Sequence, residues 1–183
     1  MTKPKITVII PTRERAGVLE AALRTATAQN YEGLEIIVSD NCSGDGTDAV
    51  VQRANDSRIR YLNTGRRLSM SHNWEFALAH VQEGWVTFMG DDDGLLPGAI
   101  GRVAEIIAAT QAQVIRTEYC TYDWPSMPNR QKGQLIVSLS SGLEYRSSSQ
   151  WLRKVMEGKA SYSQLLMIYN GGFIHISVLQ RIK

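Results

Sequence analysis

Apolar and polar positions alternate in blocks along the first 118 residues. Ile6-Thr7-Val8-Ile9-Ile10 is β-branched and almost wholly apolar, the pattern of a strand covered on both faces. Pro11 is expected to stop it, with Thr12-Arg13-Glu14-Arg15 following as a polar loop. Val18, Ala22 and Ala26 then share one helical stripe with Leu19 and Leu23 beside it, which predicts an amphipathic helix to about Gln29. Leu34 to Val38 reads as a second strand, ending on Ser39-Asp40-Asn41. Ser43 to Thr47 makes a turn and offers caps to a helix carrying Ala49, Val50 and Ala54. Arg58 to Leu62 is a weaker third strand, ending on Asn63-Thr64-Gly65-Arg66-Arg67. A helix with Trp74, Ala77, Leu78 and Val81 on one face follows, and Gly84 is expected to close it. Trp85 to Met89 is a fourth strand, Gly98 to Thr110 a helix, and Val114 to Arg116 a fifth strand.

Strands alternating with helices at this spacing predict an α/β fold, a doubly wound, mostly parallel sheet with helices on both faces. Each polar cluster follows the end of a strand: Thr12 to Arg15, Ser39 to Asn41, Asn63 to Arg67, and Asp91 to Asp93. In an open parallel sheet those ends share one edge, where ligands bind. The clusters are therefore expected to converge on one crevice. After Glu118 the pattern loosens: Trp124 to Asn129 reads as a loop and Leu135 to Leu139 as a short strand. The run Ser147-Ser148-Ser149 is expected to cap a helix with Trp151, Leu152, Val155 and Met156 on one face, and Asn170-Gly171-Gly172 to turn into Phe173 to Ile176. The organisation expected is a core over 1–117 and an extension of the same domain over 118–183, cut short at its C-terminus.

Composition narrows the class. With 43% hydrophobic and 21% charged residues, 183 residues suffice for a soluble domain with a substantial core. A formal net charge of +2, with the basic residues scattered, gives no electrostatic footprint for nucleic acid. Cys42 and Cys120 lack metal-ligand spacing and read as reduced thiols. No apolar run approaches the ~20 residues of a membrane span, and the N-terminus has no signal-peptide pattern. The expected location is cytoplasmic, with peripheral contact to the inner face of the membrane left open.

The chemistry concentrates in Gly90-Asp91-Asp92-Asp93-Gly94. Three adjacent carboxylates repel one another and lose hydration when enclosed, so the arrangement calls for a cation. A hard divalent metal suits oxygen ligands and bridges carboxylate to phosphate. The competing reading, an Asp capping the helix that begins near Pro97, accounts for one carboxylate and leaves two unexplained. Arg66 and Arg67 read either as fixed charges for phosphate or as a solvated pair. Asp40 reads either as an acceptor for a base or ribose or as a turn former. Neither G-x-G-x-x-G nor G-x-x-x-x-G-K-[ST] occurs, which disfavours dinucleotide redox chemistry and P-loop phosphoryl transfer. His72 and His80 are eight apart and form no i,i+4 metal pair.

At these residues the chain resembles the family 2 glycosyltransferases, which have the GT-A fold. Ile6 to Arg15 is similar to that family's opening "VSVIIPTYNR" stretch, Val38 to Thr47 to its "VDDGSTDGT" element, Asn63 to Gly65 with Asn73 to its "N-x-G…N" segment, and Phe88 to Pro97 to its "FLDADD…P" segment with the DXD motif. The resemblance implies that Pro11, Thr12, Arg13 and Glu14 border the nucleotide base and that Asp40 binds it, typically uracil. It implies Asp92 as principal ligand of Mn2+ or Mg2+, Asp93 as an additional or water-mediated ligand, and Asp91 toward the ribose or second shell. Gly90 stands where the first Asp of the motif usually lies, Ser39 replaces one aspartate of the second element, and His72 stands where many members have Arg. The implied reaction is transfer of a sugar, with inversion, from a nucleotide diphosphate sugar (UDP-linked) to an acceptor hydroxyl on a glycan, lipid or protein, in surface polysaccharide or glycoconjugate synthesis. The base usually found in a later acidic motif has no counterpart here, and no catalytic residue is assigned. The rival readings are a non-catalytic nucleotide-sugar-binding module and a nucleotidyltransferase or phosphatase on an α/β sheet.

Overall fold

In the computed structural model, which describes residues 3–123, 134–137, 142, 144, 146–160, 168–169 and 171–181, the apolar blocks become strands of one sheet. β1 (Ile6–Thr12), β2 (Leu34–Asp40), β3 (Ile59–Asn63) and β4 (Trp85–Phe88) lie in the order β3-β2-β1-β4, all parallel. The helices α1 (Ala16–Thr27), α2 (Thr47–Ala54) and α4 (Ala99–Thr110) pack on one face, where Ile6, Val8, Ile10, Ile36 and Val38 point. The helix α3 (Met70–Leu78) packs on the other, against Ile9, Ile37, Val86 and Phe88. Burial on both faces is why these strands are apolar at every position, each large aliphatic side chain contributing about 1.5–3 kcal/mol.

Pro11 does not stop β1, which continues through it to Thr12 in register with β2 to Asp40. Ile9 O accepts from Met89 N on the β4 side and Thr12 O from Asn41 N on the β2 side. That alternation turns the nitrogen of Pro11 toward β4, whose ladder with β1 ends at Ile9 paired with Phe88, so no bond is lost. The helix expected to run toward Gly84 also ends early, at Leu78, with Val81 still buried in the turn that follows. Gly84 has φ +81°, and a Cβ there would lie 2.3 Å from Lys5 O, so the close passage beside β1 requires glycine.

The last described segment returns to the sheet. β8 (Gly172–His175) pairs antiparallel to β4 and separates it from β5 (Val114–Arg116), giving the order β3-β2-β1-β4-β8-β5. Its Phe173 and Ile174 are buried, and the short helix α6 (Ile176–Leu179) follows. The chain thus divides into one compact unit of 1–115 with 168–183 and a second of 116–167. In the second unit β6 (Cys120–Tyr122) and β7 (Leu135–Val137) form an antiparallel pair. There α5 (Ser148–Met156) starts within the expected serine run, where Ser147 is the cap and forms a capping box with Gln150, but Leu152 and Met156 on its apolar stripe are exposed. The expected loop over 124–129, residues 138–139 of the expected strand, and Asn170 lie outside the described residues.

Candidate functional site

The C-terminal ends of β1, β2, β3 and β4 bring the polar clusters to one edge of the sheet, at the point where α1 and α4 leave one face and α3 the other. The acidic turn after β4 is held from below by α1. Leu95 N donates to Thr25 Oγ1 (3.1 Å), Gln29 Nε2 to Leu96 O (3.0 Å), and Ile100 N to Gln29 Oε1 (3.2 Å). Gln29 is 2% exposed, so the amide is a buried clamp between α1 and the start of α4.

Within the turn the three carboxylates have different surroundings. Asp91 is buried and accepts from Thr12 Oγ1 at 2.8 Å, while Arg15 Nη1 lies 3.0 Å from its other oxygen. Burial raises its pKa against the opposing pull of Thr12 and Arg15. Asp92 is half exposed and accepts from Arg15 Nη2 at 2.8 Å, a bond that raises the guanidinium pKa. Asp93 accepts from the hydroxyl of Tyr169 at 3.3 Å. Tyr169 stacks on Trp74, which stacks on Phe88, with ring centroids 5.4 and 4.6 Å apart. Burial and the neighbouring aspartates push the Tyr169 phenol up to about 12, so it stays a donor.

Gly90 lets the corner close. A Cβ at that position would lie 2.4 Å from Asp93 Oδ2, 2.5 Å from Tyr169 OH and 3.0 Å from Asp92 Oδ1. These oxygens therefore gather over the glycine, in space that the aspartate usual at this position would fill. Among the described residues no group of three or more His, Cys, Asp or Glu side chains is arranged to hold a metal ion. Two carboxylates on one cradle nevertheless fit Mg2+ or Mn2+, which commonly take one or two carboxylates and complete their shell with water and substrate phosphate.

The other end of the edge is built around Asp40, which is 1% exposed. Its Oδ1 accepts from Ser43 N (3.0 Å) and its Oδ2 from Tyr61 OH (2.5 Å) and Asn63 Nδ2 (3.0 Å), leaving about one of its four lone-pair sites. Burial and this carboxylate push the Tyr61 phenol up to about 12. Ser39, where the family pattern has an aspartate, donates to buried Asn73 Oδ1 at 2.7 Å and accepts Asn73 Nδ2 on its carbonyl at 3.2 Å. A hydroxyl gives Asn73 the donor that a carboxylate lacks. The loops are tied together above. Glu14, at φ +54°, accepts from Gly44 N (3.2 Å) and from Arg67 Nη2 (2.6 Å). Asp45 accepts from Ala16 N at 2.8 Å, a bond to the start of α1 that is the main cause of its lowered pKa. Arg13 and Arg66 are exposed, and Pro11 is half-buried at the end of β1.

Thr12, Asp91, Asp92 and Asp93 are thus brought together, Asp40 lies opposite Thr12 on the neighbouring strand, and Glu14 and Arg67 are joined across the rim. Sequence reading had no site role for Arg15, Tyr169, Tyr61 or Gln29. Arg15 lies in the flagged polar loop, whereas Tyr169 lies 76 residues from Asp93 with no local signal.

This open, mainly parallel sheet with an acidic turn at the strand edge and helices on both faces matches solved glycosyltransferases of the GT-A fold. A mannosyltransferase, PcManGT from Pyrobaculum calidifontis, solved with GDP-Man and Mn2+, is 25% identical with a TM-score of 0.52, covering 62% of this chain and 35% of its own. TarS of S. aureus, solved in complex with UDP, is similar in fold at 22% identity and a TM-score of 0.57, covering 60% of this chain and 34% of its own. Residues 7–163 match the family described as Glycosyl transferase family 2, and the chain belongs to that family. Among curated relatives, the GalNAc(5)-diNAcBac-PP-undecaprenol beta-1,3-glucosyltransferase of Campylobacter jejuni is 40% identical over 105 residues, 56% of this chain and 34% of the relative. The chain spans about a third of the length of the curated relatives it matches. Among the described residues no helix is long and apolar enough to cross a membrane.

Proposed function

We propose that this chain is the donor-binding part of an inverting glycosyltransferase, moving a sugar from a UDP-linked donor to an acceptor hydroxyl in surface polysaccharide or glycoconjugate synthesis, with Mn2+ or Mg2+. The observation that supports this best is the convergence of Thr12, Arg15 and the three aspartates at one corner of an edge whose other corner is the Asp40, Tyr61 and Asn63 cluster. One end of the edge suits a cation and phosphate, the other a hydrogen-bonding heterocycle.

Asp92 Oδ1 and Asp93 Oδ2 would hold the metal, with Tyr169 fixing Asp93 and buried Asp91 set back toward the ribose. A bound divalent cation supplies electrostatic stabilisation of the departing diphosphate. Arg13, Arg66 and Arg67 line the rim as further positive charge, and fixed charges of this kind act most where negative charge grows in the transition state. Pro11, Arg13 and Glu14 border the base, Thr12 lies between that end and the metal corner through its bond to Asp91, and Asp40 holds Tyr61 and Asn63 beside the base. The acceptor hydroxyl would lose its proton to a group that the described residues do not identify.

A thermal-shift panel of UDP, GDP and dTDP, each with and without Mn2+, tests this reading. Stabilisation by UDP that requires Mn2+ is expected. A shift by none of the three, or shifts independent of metal, would contradict it. A larger shift with GDP would move the donor assignment alone.

A further inference from the structure

Arg15 stands just before α1, at φ −137° and ψ 36°, so its side chain is not committed to the helix surface. It bridges two neighbouring carboxylates with two different nitrogens, Nη1 to Asp91 at 3.0 Å and Nη2 to Asp92 at 2.8 Å. The two contacts are unequal in their surroundings. The Asp91 side chain is 7% exposed and also held by Thr12, whereas Asp92 is 44% exposed and Arg15 itself 45%. The Asp92 contact is the one open to solvent and the easier to exchange, because an exposed pair is worth little net. Charge points the same way. Three ionised carboxylates and one guanidinium leave the corner two charges negative, which one divalent cation neutralises.

We propose that Arg15 is the resident counter-cation of the acidic corner, relinquishing Asp92 when a divalent metal binds and turning its guanidinium to the donor diphosphate. It is a positioning residue in the empty site and a phosphate-binding one in the loaded site. A planar guanidinium serves both, since it matches carboxylate and phosphate alike through paired donors. The inference rests on the reading of the edge as a metal-dependent nucleotide-sugar site. It adds that the metal and Arg15 compete for one carboxylate.

The test compares the full chain with Arg15→Ala and Arg15→Lys by Mn2+ calorimetry without nucleotide, and by UDP and GDP titration at saturating Mn2+. Without nucleotide, Arg15→Ala is expected to bind Mn2+ about two- to fivefold more tightly, the size of an exposed ion pair no longer displaced. With Mn2+ saturating, the same variant is expected to bind the nucleotide diphosphate about tenfold more weakly. Arg15→Lys, which keeps the charge but not the two-pronged bridge, should fall between on both measures and serves if the alanine variant does not fold. Unchanged or weaker Mn2+ binding in a folded Arg15→Ala, beside a wild type that shows metal-dependent nucleotide binding, overturns the role of Arg15 alone. A wild type with no metal-dependent nucleotide binding overturns the donor reading and this inference with it.

Discussion

A Cβ at position 90 would press on Asp93 Oδ2 and Asp92 Oδ1, carboxylate ends that can retreat, and on the hydroxyl of Tyr169, whose ring is held in the stack with Trp74. Gly90→Ala should leave the fold intact at a cost of about 1–3 kcal/mol in urea denaturation, since no backbone atom is met but the stacked ring has little room to give. The retreat would pull the oxygens of the cradle apart, and Mn2+-dependent nucleotide affinity should fall about tenfold by calorimetry, the loss of one charge-assisted contact. An unchanged affinity would show that the cradle does not hold the metal. The three aspartates were visible in the sequence because like charges in a row are chemically anomalous. Arg15 and Tyr169 were not, because their meaning lies in which carboxylates they meet, and that is set by the packing of β1 beside β4 and by the return of 168–183 to the sheet.

At the level of elements, the acidic turn is positioned by Thr25 near the end of α1 and by the Gln29 amide just beyond it. Gln29 accepts from the buried Ile100 N and donates to Leu96 O, whose residue is half exposed. Gln29→Ala should cost about 1–3 kcal/mol, since it leaves the buried Ile100 N–H unpaired. Equilibrium urea unfolding would measure this, and a loss under about 0.5 kcal/mol would mean that the turn is held some other way. Strands β1, β2 and β4 were readable because burial on both faces writes a continuous apolar run. The insertion of β8 was not, since four residues, Gly172–His175, carry no signal of which strand they will pair with. The early end of α3 was also hidden, because Val81 keeps the helical spacing while packing from the turn beyond it.

For the molecule as a whole, the order of polar clusters along a parallel sheet carried most of the functional reading. Parallel strands put four separate stretches of sequence on a single edge, and in the fold the strands that carry them lie side by side as β3-β2-β1-β4. What the cluster order left out is the division of labour along the edge. Asp40 is a buried hub whose oxygens already serve Ser43, Tyr61 and Asn63, while Asp92 keeps one face toward solvent. In the proposed function, the open carboxylate of Asp92 couples metal to nucleotide. Calorimetry of UDP binding to the wild type and to Asp92→Ala, each with and without Mn2+, tests it most directly. Wild-type binding that needs Mn2+ and is lost in a folded Asp92→Ala is the predicted result. Undiminished metal-dependent binding in that variant would contradict it.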